Sequence, residues 1–289
     1  MDIIKLIRPT QWCKNLFVFL PLFFAGNFGD MSRLIPCIVI FFVISLLSSS
    51  VYVFNDLCDA QFDSRHPEKC HRPIASGSVS KAKAFAIFIF LAILSFVILA
   101  VTIPSVELFV MLGVYLLLNL CYSLWLKSLS LIDLFFISVC FILRILIGAA
   151  AAQVEPSHWI IVMTFLLALF LVLAKRRDDV LKFETSHIVV RRNVKSYNLA
   201  FIDHAITLVA AITLVSYIMY TVDDEITQRF DCNYVYATSI FVLAGLLRYL
   251  QITFVEKNSG SPTKVVLHDR FLQLCIVGWI LLFVFIIYG

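Results

Sequence analysis

No two of the eight cysteines stand in a Cys-x-x-Cys pair: Cys13, Cys37, Cys58, Cys70, Cys121, Cys140, Cys232 and Cys275 are scattered, most of them inside apolar runs. That spacing argues against a zinc site or a disulfide framework and reads as small packing residues. The chain also lacks a small-residue cleavage site after a short hydrophobic core, so the charged, amphipathic start from Met1 to Pro9 is expected to stay on the protein. Nor is there a polar stretch long enough for a separate soluble domain, and 1–289 is expected to form one integral-membrane domain. What fills the chain is hydrocarbon. It is 61% apolar and 14% aromatic, with 27 Phe, and its mean hydropathy is +0.96, whereas soluble domains run at roughly 45–50% apolar.

At about 20 residues for each crossing of a hydrocarbon core roughly 30 Å thick, the chain has room for about eight to ten helices. Apolar runs broken by charges or turns predict nine spans, near 15–29, 34–54, 84–104, 106–124, 131–152, 158–174, 198–220, 234–254 and 271–288. Lipid-exposed backbone must be satisfied internally, and continuous runs of this length exclude the alternation of barrel strands. The predicted class is an all-α membrane protein.

Basic residues gather in cytoplasmic loops. With the N-terminus cytoplasmic, the N-terminal segment and the four loops on its side hold 19 of the 23 Lys and Arg. Arg33 and Arg229 fall on the far side, and Arg144 and Arg248 within spans. The far-side loop 221–233 is acidic, with Asp223, Asp224, Glu225 and Asp231. The expected layout is therefore nine crossings of the inner membrane, N-terminus in and C-terminus out. A net charge of +4 makes a cytoplasmic collar suited to anionic headgroups or phosphorylated substrates and gives no argument for nucleic acid. Gly113, Gly148 and Gly245 are candidates for helix packing within one chain or between copies in a homo-oligomer.

The second predicted span runs into Asn55-Asp56-Leu57-Cys58-Asp59-Ala60-Gln61-Phe62-Asp63. On a continuing helix Asp56, Asp59 and Asp63 share one face at i, i+3 and i+7, with Asn55 beside them. Carboxylates so placed repel one another unless a divalent cation sits between them, and hard oxygen donors with no neighbouring His or Cys ligand suit Mg²⁺. The plain alternative is a solvated helix end. A basic loop follows, containing Arg72-Pro73-Ile74-Ala75-Ser76-Gly77.

From Asn55 onward this stretch resembles the first signature of UbiA-type enzymes, an Asn-Asp-x-x-Asp-x-x-x-Asp motif followed by Arg-Pro-x-x-Ser-Gly. The resemblance implies a helical bundle in which Asn55, Asp56, Asp59 and Asp63 hold Mg²⁺ against a donor's diphosphate while Arg72 contacts phosphate. Prenyl-transferring members carry a second Asp-x-x-x-Asp, and this chain lacks it. After the sixth predicted span it has Lys175-Arg176-Arg177-Asp178-Asp179 instead. By composition alone such a run is a topology signal, but its placement resembles the decaprenyl-phosphate phosphoribosyltransferase branch.

The opening Arg8-Pro9-Thr10-Gln11-Trp12-Cys13-Lys14-Asn15 and the stretch Gly260-Ser261-Pro262, with Leu267, Asp269 and Arg270 after it, are similar to elements of the same branch. So are Tyr122 to Lys127, Asp133, Leu143-Arg144 and Gly148 to Ala151. The branch implies transfer of phosphoribose from phosphoribosyl pyrophosphate to a polyprenyl phosphate in the membrane lipid; the alternatives are a UbiA-type prenyltransferase moving an isoprenoid chain from a prenyl diphosphate to an aromatic or other acceptor, and a lipid-anion transporter. A transporter would want ionisable residues near the bilayer midplane, where this chain has only Arg144. In the phosphoribosyl reading the residue roles are as follows. Asp56, Asp59, Asp63, Lys175 and Arg176 would be catalytic. Arg8, Gln11, Lys14, Asn55, Arg72, Lys127, Arg144, Arg177, Asp179 and Tyr197 would bind substrate. Simpler roles stay open: Arg8 and Lys14 as headgroup anchors with Trp12 in the interfacial belt, Tyr197 and Asp203 as a helix cap, Asp269-Arg270 as a local ion pair. Arg144, ionisable and deep in a span, is expected to line a cavity.

Overall fold

The computed structural model describes residues 2–65, 69–186, 193–257 and 259–288; Arg191 and Arg192 of the basic collar, and residues 66–68, lie outside this set. Among the described residues all regular structure is helical, and eight helices are long and apolar enough to cross a membrane. The chain divides into two compact units, Met1–Pro156 and Ser157–Gly289.

In the first unit, α1 (Asp2–Ile7) leads to a 3-10 helix, Pro9–Phe19, and the short α2 (Leu20–Phe24). Four long helices follow: α3 (Met31–Asp63), α4 (Lys81–Thr102), α5 (Val106–Leu124) and α6 (Ile132–Ala152). Side-chain caps start three of them, with Asp30, Ser80 and Ser105 accepting from the amides of Ser32, Lys83 and Leu108. The axis of the unit is α3, which packs against the 3-10 helix, α4, α5 and α6. Its Val43, Ile44 and Leu47 share a buried cluster with Leu112, Tyr115 and Ile147.

Nine α-helical spans are thereby corrected to eight among the described residues, because the predicted span 15–29 is not a long α-helix. A 3-10 helix rises about 2.0 Å per residue, so its 11 residues and the 5 of α2, laid end to end, reach roughly 30 Å, still enough for a crossing. The tighter coil suits its seat. The Val18 backbone lies against Gly148 of α6, its Cα 2.8 Å from where a Cβ would stand and its carbonyl nearer still.

The other difference is an overrun. At 1.5 Å per residue the 33 residues of α3 extend about 50 Å, roughly 20 Å more than a hydrocarbon core. With no Gly or Pro after Pro36 to break it, the helix carries Asn55 to Asp63 out of the apolar run on rigid backbone.

The second unit consists of α7 (His158–Ser186), α8 (Leu199–Thr221), α9 (Asp224–Phe230), α10 (Ser239–Phe254), α11 (Pro262–His268) and α12 (Arg270–Tyr288). Here α7 lies along α8, and α10 along α12. A polar chain staples three elements inside the apolar packing: Trp279 Nε1 donates to the Tyr217 hydroxyl at 2.6 Å, which meets the Thr238 hydroxyl at 2.6 Å.

Candidate active site

The predicted acidic face forms. Asp56 and Asp63 are buried, and Asp59 is the most open of the three, with its side chain 19% exposed. Each meets a cation. Arg8 Nη2 donates to both carboxylate oxygens of Asp56, at 2.6 and 2.7 Å. Arg72 Nη1 stands between two carboxylates, 3.0 Å from Asp56 Oδ1 and 2.7 Å from Asp63 Oδ2. Lys127 Nζ stands between the remaining two donors, 2.6 Å from Asp59 Oδ1 and 3.3 Å from Asn55 Oδ1. Among the described residues each of the three carboxylates is thus paired with at least one cationic side chain.

Local structure explains how the cations reach the face. Arg8 takes a left-handed backbone, φ 51° and ψ 61°, a conformation that costs a non-glycine residue energy. It is held by Ser49 of α3, whose hydroxyl donates to the Ile7 carbonyl at 2.8 Å and accepts from Trp12 Nε1 at 2.9 Å. The guanidinium lies 5.5 Å from the Tyr52 ring centre. Trp12 is therefore a fastening of the N-terminal segment to α3. Arg72 is presented by a tight turn in which Ser76 N donates to the Arg72 carbonyl and Gly77 N to that of Ile74. Gly77 has φ +80°, so the last residue of the Arg-Pro-x-x-Ser-Gly signature is glycine for a backbone reason.

Other predicted residues behave differently. Gln11 and Lys14 sit half-buried on the 3-10 helix, and among the described residues neither joins the ion pairs of the carboxylates. Arg144 is buried, and its guanidinium is committed to protein acceptors: Asn15 Oδ1 at 2.8 Å, the Cys140 carbonyl at 2.6 Å and the Tyr115 hydroxyl at 2.7 Å. Tyr115 reaches Ser48 at 3.0 Å, and Asn15 donates to Ser45 at 2.9 Å. Arg144 thus locks the 3-10 helix, α3, α5 and α6 together, in place of the cavity-lining role expected from sequence.

In the second unit the basic run lies in the C-terminal half of α7. A topology signal would leave it in solvent, but Arg176, Arg177, Asp178 and Asp179 are all buried, and Lys175 is half-buried. Arg177 Nε meets Asp203 Oδ1 at 2.7 Å, and its Nη1 donates to the Thr253 carbonyl at 2.8 Å. Arg176 pairs with Asp179 at 3.2 Å and lies 5.9 Å from the Tyr197 ring centre. The cap of α8 is Asn198, which accepts from the Phe201 amide, and not Tyr197 or Asp203. Ser259 donates to the Ala174 carbonyl at 2.9 Å, and the Asp178 carboxylate fills the space where a side chain at Gly260 would be. The Gly-Ser-Pro element is thereby fixed on the basic turn.

Asp269 pairs with Arg248 at 2.7 Å, not with its neighbour Arg270. The Arg248 hydrogen bond holds the Asp269 carboxyl below the usual carboxylate range. Sequence reading did not single out Ser45, Ser48, Ser49 or Tyr115; the only trace of the first three was a serine-rich stretch inside an apolar run.

Among the described residues no group of three His, Cys, Asp or Glu stands together as a metal-holding set. The donor chemistry nevertheless fits a divalent cation. Asn55, Asp56, Asp59 and Asp63 offer only hard oxygens, and a positive nitrogen already bridges two donors at Arg72 and at Lys127.

The UbiA prenyltransferase family profile matches residues 15–276. A decaprenyl-phosphate phosphoribosyltransferase of Corynebacterium glutamicum is 30% identical over 99% of this chain and 86% of its own. That of Mycolicibacterium smegmatis is 30% identical over 96% and 90%. A UbiA homolog from Archaeoglobus fulgidus, solved with DMAPP and Mg²⁺, superposes with a TM-score of 0.70 at 16% identity, covering 99% of each chain.

Proposed function

We propose that this chain, which belongs to the UbiA prenyltransferase family, transfers 5-phosphoribose from phosphoribosyl pyrophosphate to a polyprenyl phosphate at the cytoplasmic face of the inner membrane and releases pyrophosphate. One observation carries the reading: the chain has an acidic face from Asn55 to Asp63 in its first unit and, in its second, a buried arginine turn at Arg176 and Arg177 where prenyl-transferring relatives are expected to keep a second acidic motif. The names of the Corynebacterium and Mycolicibacterium relatives support it.

In this reading the bond between ribose C1 and the pyrophosphate oxygen breaks, and pyrophosphate leaves with the electron pair. An oxygen of the lipid phosphate forms the new bond to C1. That oxygen is already anionic, so no side chain has to take a proton. Mg²⁺ held by Asn55, Asp56, Asp59 and Asp63 would neutralise charge on the leaving group. Arg8, Arg72 and Lys127, with their cationic ends at the acidic face, supply the positive groups that bind the donor's phosphates. Lys175, together with Arg176 held by Asp179 and Arg177 held by Asp203, provides cations for a phosphate that needs no metal. Gln11, Lys14 and Tyr197 complete the proposed substrate contacts. The two units serve one integral-membrane domain.

Purified protein supplied with Mg²⁺, phosphoribosyl pyrophosphate and a polyprenyl phosphate should form a lipid heavier by one phosphoribosyl group, read by mass spectrometry. A folded preparation that forms none with lipids of several chain lengths would contradict the assignment.

A further inference from the structure

The carboxylate face of α3 is neutralised by the protein itself, and the manner of it is specific. Arg72 Nη1 touches oxygens of Asp56 and Asp63, one helix-face repeat apart, and Lys127 Nζ touches Asp59 and Asn55 one turn apart. Each nitrogen lies between two donor groups, as a bridging metal ion lies. We propose that Arg72 and Lys127 are placeholder cations: they hold the carboxylates together in the absence of ligand and exchange them for donor phosphates when a divalent cation enters.

This deepens the diphosphate- and metal-binding part of the proposed function and rests on it. The physical argument is competition. Asp56 and Asp63 are buried, and like charges on one helix face repel, so a face without counter-charge would be costly. A lysine or arginine relieves that cost until a divalent cation arrives. The cation must then displace a pair at 2.6 to 3.0 Å, which weakens metal binding to the protein alone. Phosphate oxygens offer the displaced side chains equivalent hydrogen bonds, so metal and donor strengthen each other's binding reciprocally. Lys127, with its side chain 13% exposed, is the cation most enclosed by the face; Arg72 and Arg8 are more open, at 27% and 26%.

The test uses Mn²⁺ alone as probe, with binding to the detergent-purified protein read by electron paramagnetic resonance and no donor or acceptor present. Lys127→Met should bind Mn²⁺ about tenfold more tightly than the unmodified protein, within the 5–150-fold span usual for coupled sites. Adding Asp59→Asn to Lys127→Met should abolish the gain. Lys81→Met, the same charge change at an exposed position in the first turn of α4, should leave affinity within about twofold, the scale of a screened distant charge. No tightening in Lys127→Met, a gain that survives Asp59→Asn, or an equal gain in Lys81→Met would each overturn the inference. If Lys127→Met does not yield folded protein, Arg72→Met with and without Asp63→Asn puts the same question. No sugar or lipid substrate enters the experiment, so an error in the phosphoribosyl assignment would leave its result intact, and a failed Mn²⁺ result would not decide that assignment.

Discussion

Asp59 and Arg144 separate chemistry from architecture at the scale of single residues. Asp59 is the carboxylate of its face most open to solvent and is held by Lys127. Asp59→Asn should cut the rate of pyrophosphate release by about 100-fold or more, a magnitude typical of losing one charge-stabilising group, with the thermal unfolding midpoint unchanged. An Asn variant with full turnover would remove Asp59 from the site. Arg144→Met should do the reverse. It removes the donor to Asn15 Oδ1, the Cys140 carbonyl and the Tyr115 hydroxyl, of which Tyr115 keeps its bond to Ser48, at a cost of about 1–3 kcal/mol for a buried group left unsatisfied. The unfolding midpoint should therefore fall while KM for the donor stays within about twofold; a selective rise in KM would return Arg144 to the substrate site. The carboxylates were legible because their spacing is local to one helix. The partners of Arg144 were not, since Asn15 lies 129 positions away and Tyr115 lies 29 away, and a single sequence carries no sign of such pairings. The same limit concealed the Asp269–Arg248 pair, where the adjacent Arg270 was the nearer guess.

The N-terminal segment is where the elements departed most from expectation. Apolar length identifies a stretch that can enter the membrane, but it does not distinguish a 3-10 coil from an α-helix; that choice came with the close approach of Val18 to Gly148. A methyl group at position 148 would overlap the Val18 backbone, and backbone cannot rotate away as a side chain can. Gly148→Ala should therefore destabilise the protein by about 1–3 kcal/mol, the usual range for overpacking, measured by thermal unfolding in detergent. At Gly113 of α5 nothing lies within 4 Å of an added Cβ, so Gly113→Ala should be neutral or stabilise by up to about 1 kcal/mol through helix propensity. Equal losses at both sites would refute the close-packing account. The lengths of α3 and α7 were underread for a related reason: hydropathy ends a span at the first charges, whereas a helix without a breaker continues through them.

For the whole molecule, the distribution of basic residues was the clearest signal in the sequence, and it supports a proposed orientation with the acidic motif on the cytoplasmic side. Single cysteines introduced at Ser64 and at Asp231 into a chain freed of its own cysteines should report it. In intact cells a membrane-impermeant maleimide should label position 231 and spare position 64 until the membrane is opened. The converse pattern would invert the topology. All-helical class and family likewise emerged from composition and motif order. The substrate depends on finer features, above all the buried arginine turn in the C-terminal half of α7, and it is there that the central claim meets its most direct test. Purified protein in lipid would receive phosphoribosyl pyrophosphate with polyprenyl phosphate in one reaction, and prenyl diphosphate with an aromatic acceptor in another, each with and without Mg²⁺. The account predicts Mg²⁺-dependent pyrophosphate release in the first reaction alone; release confined to the second would contradict it.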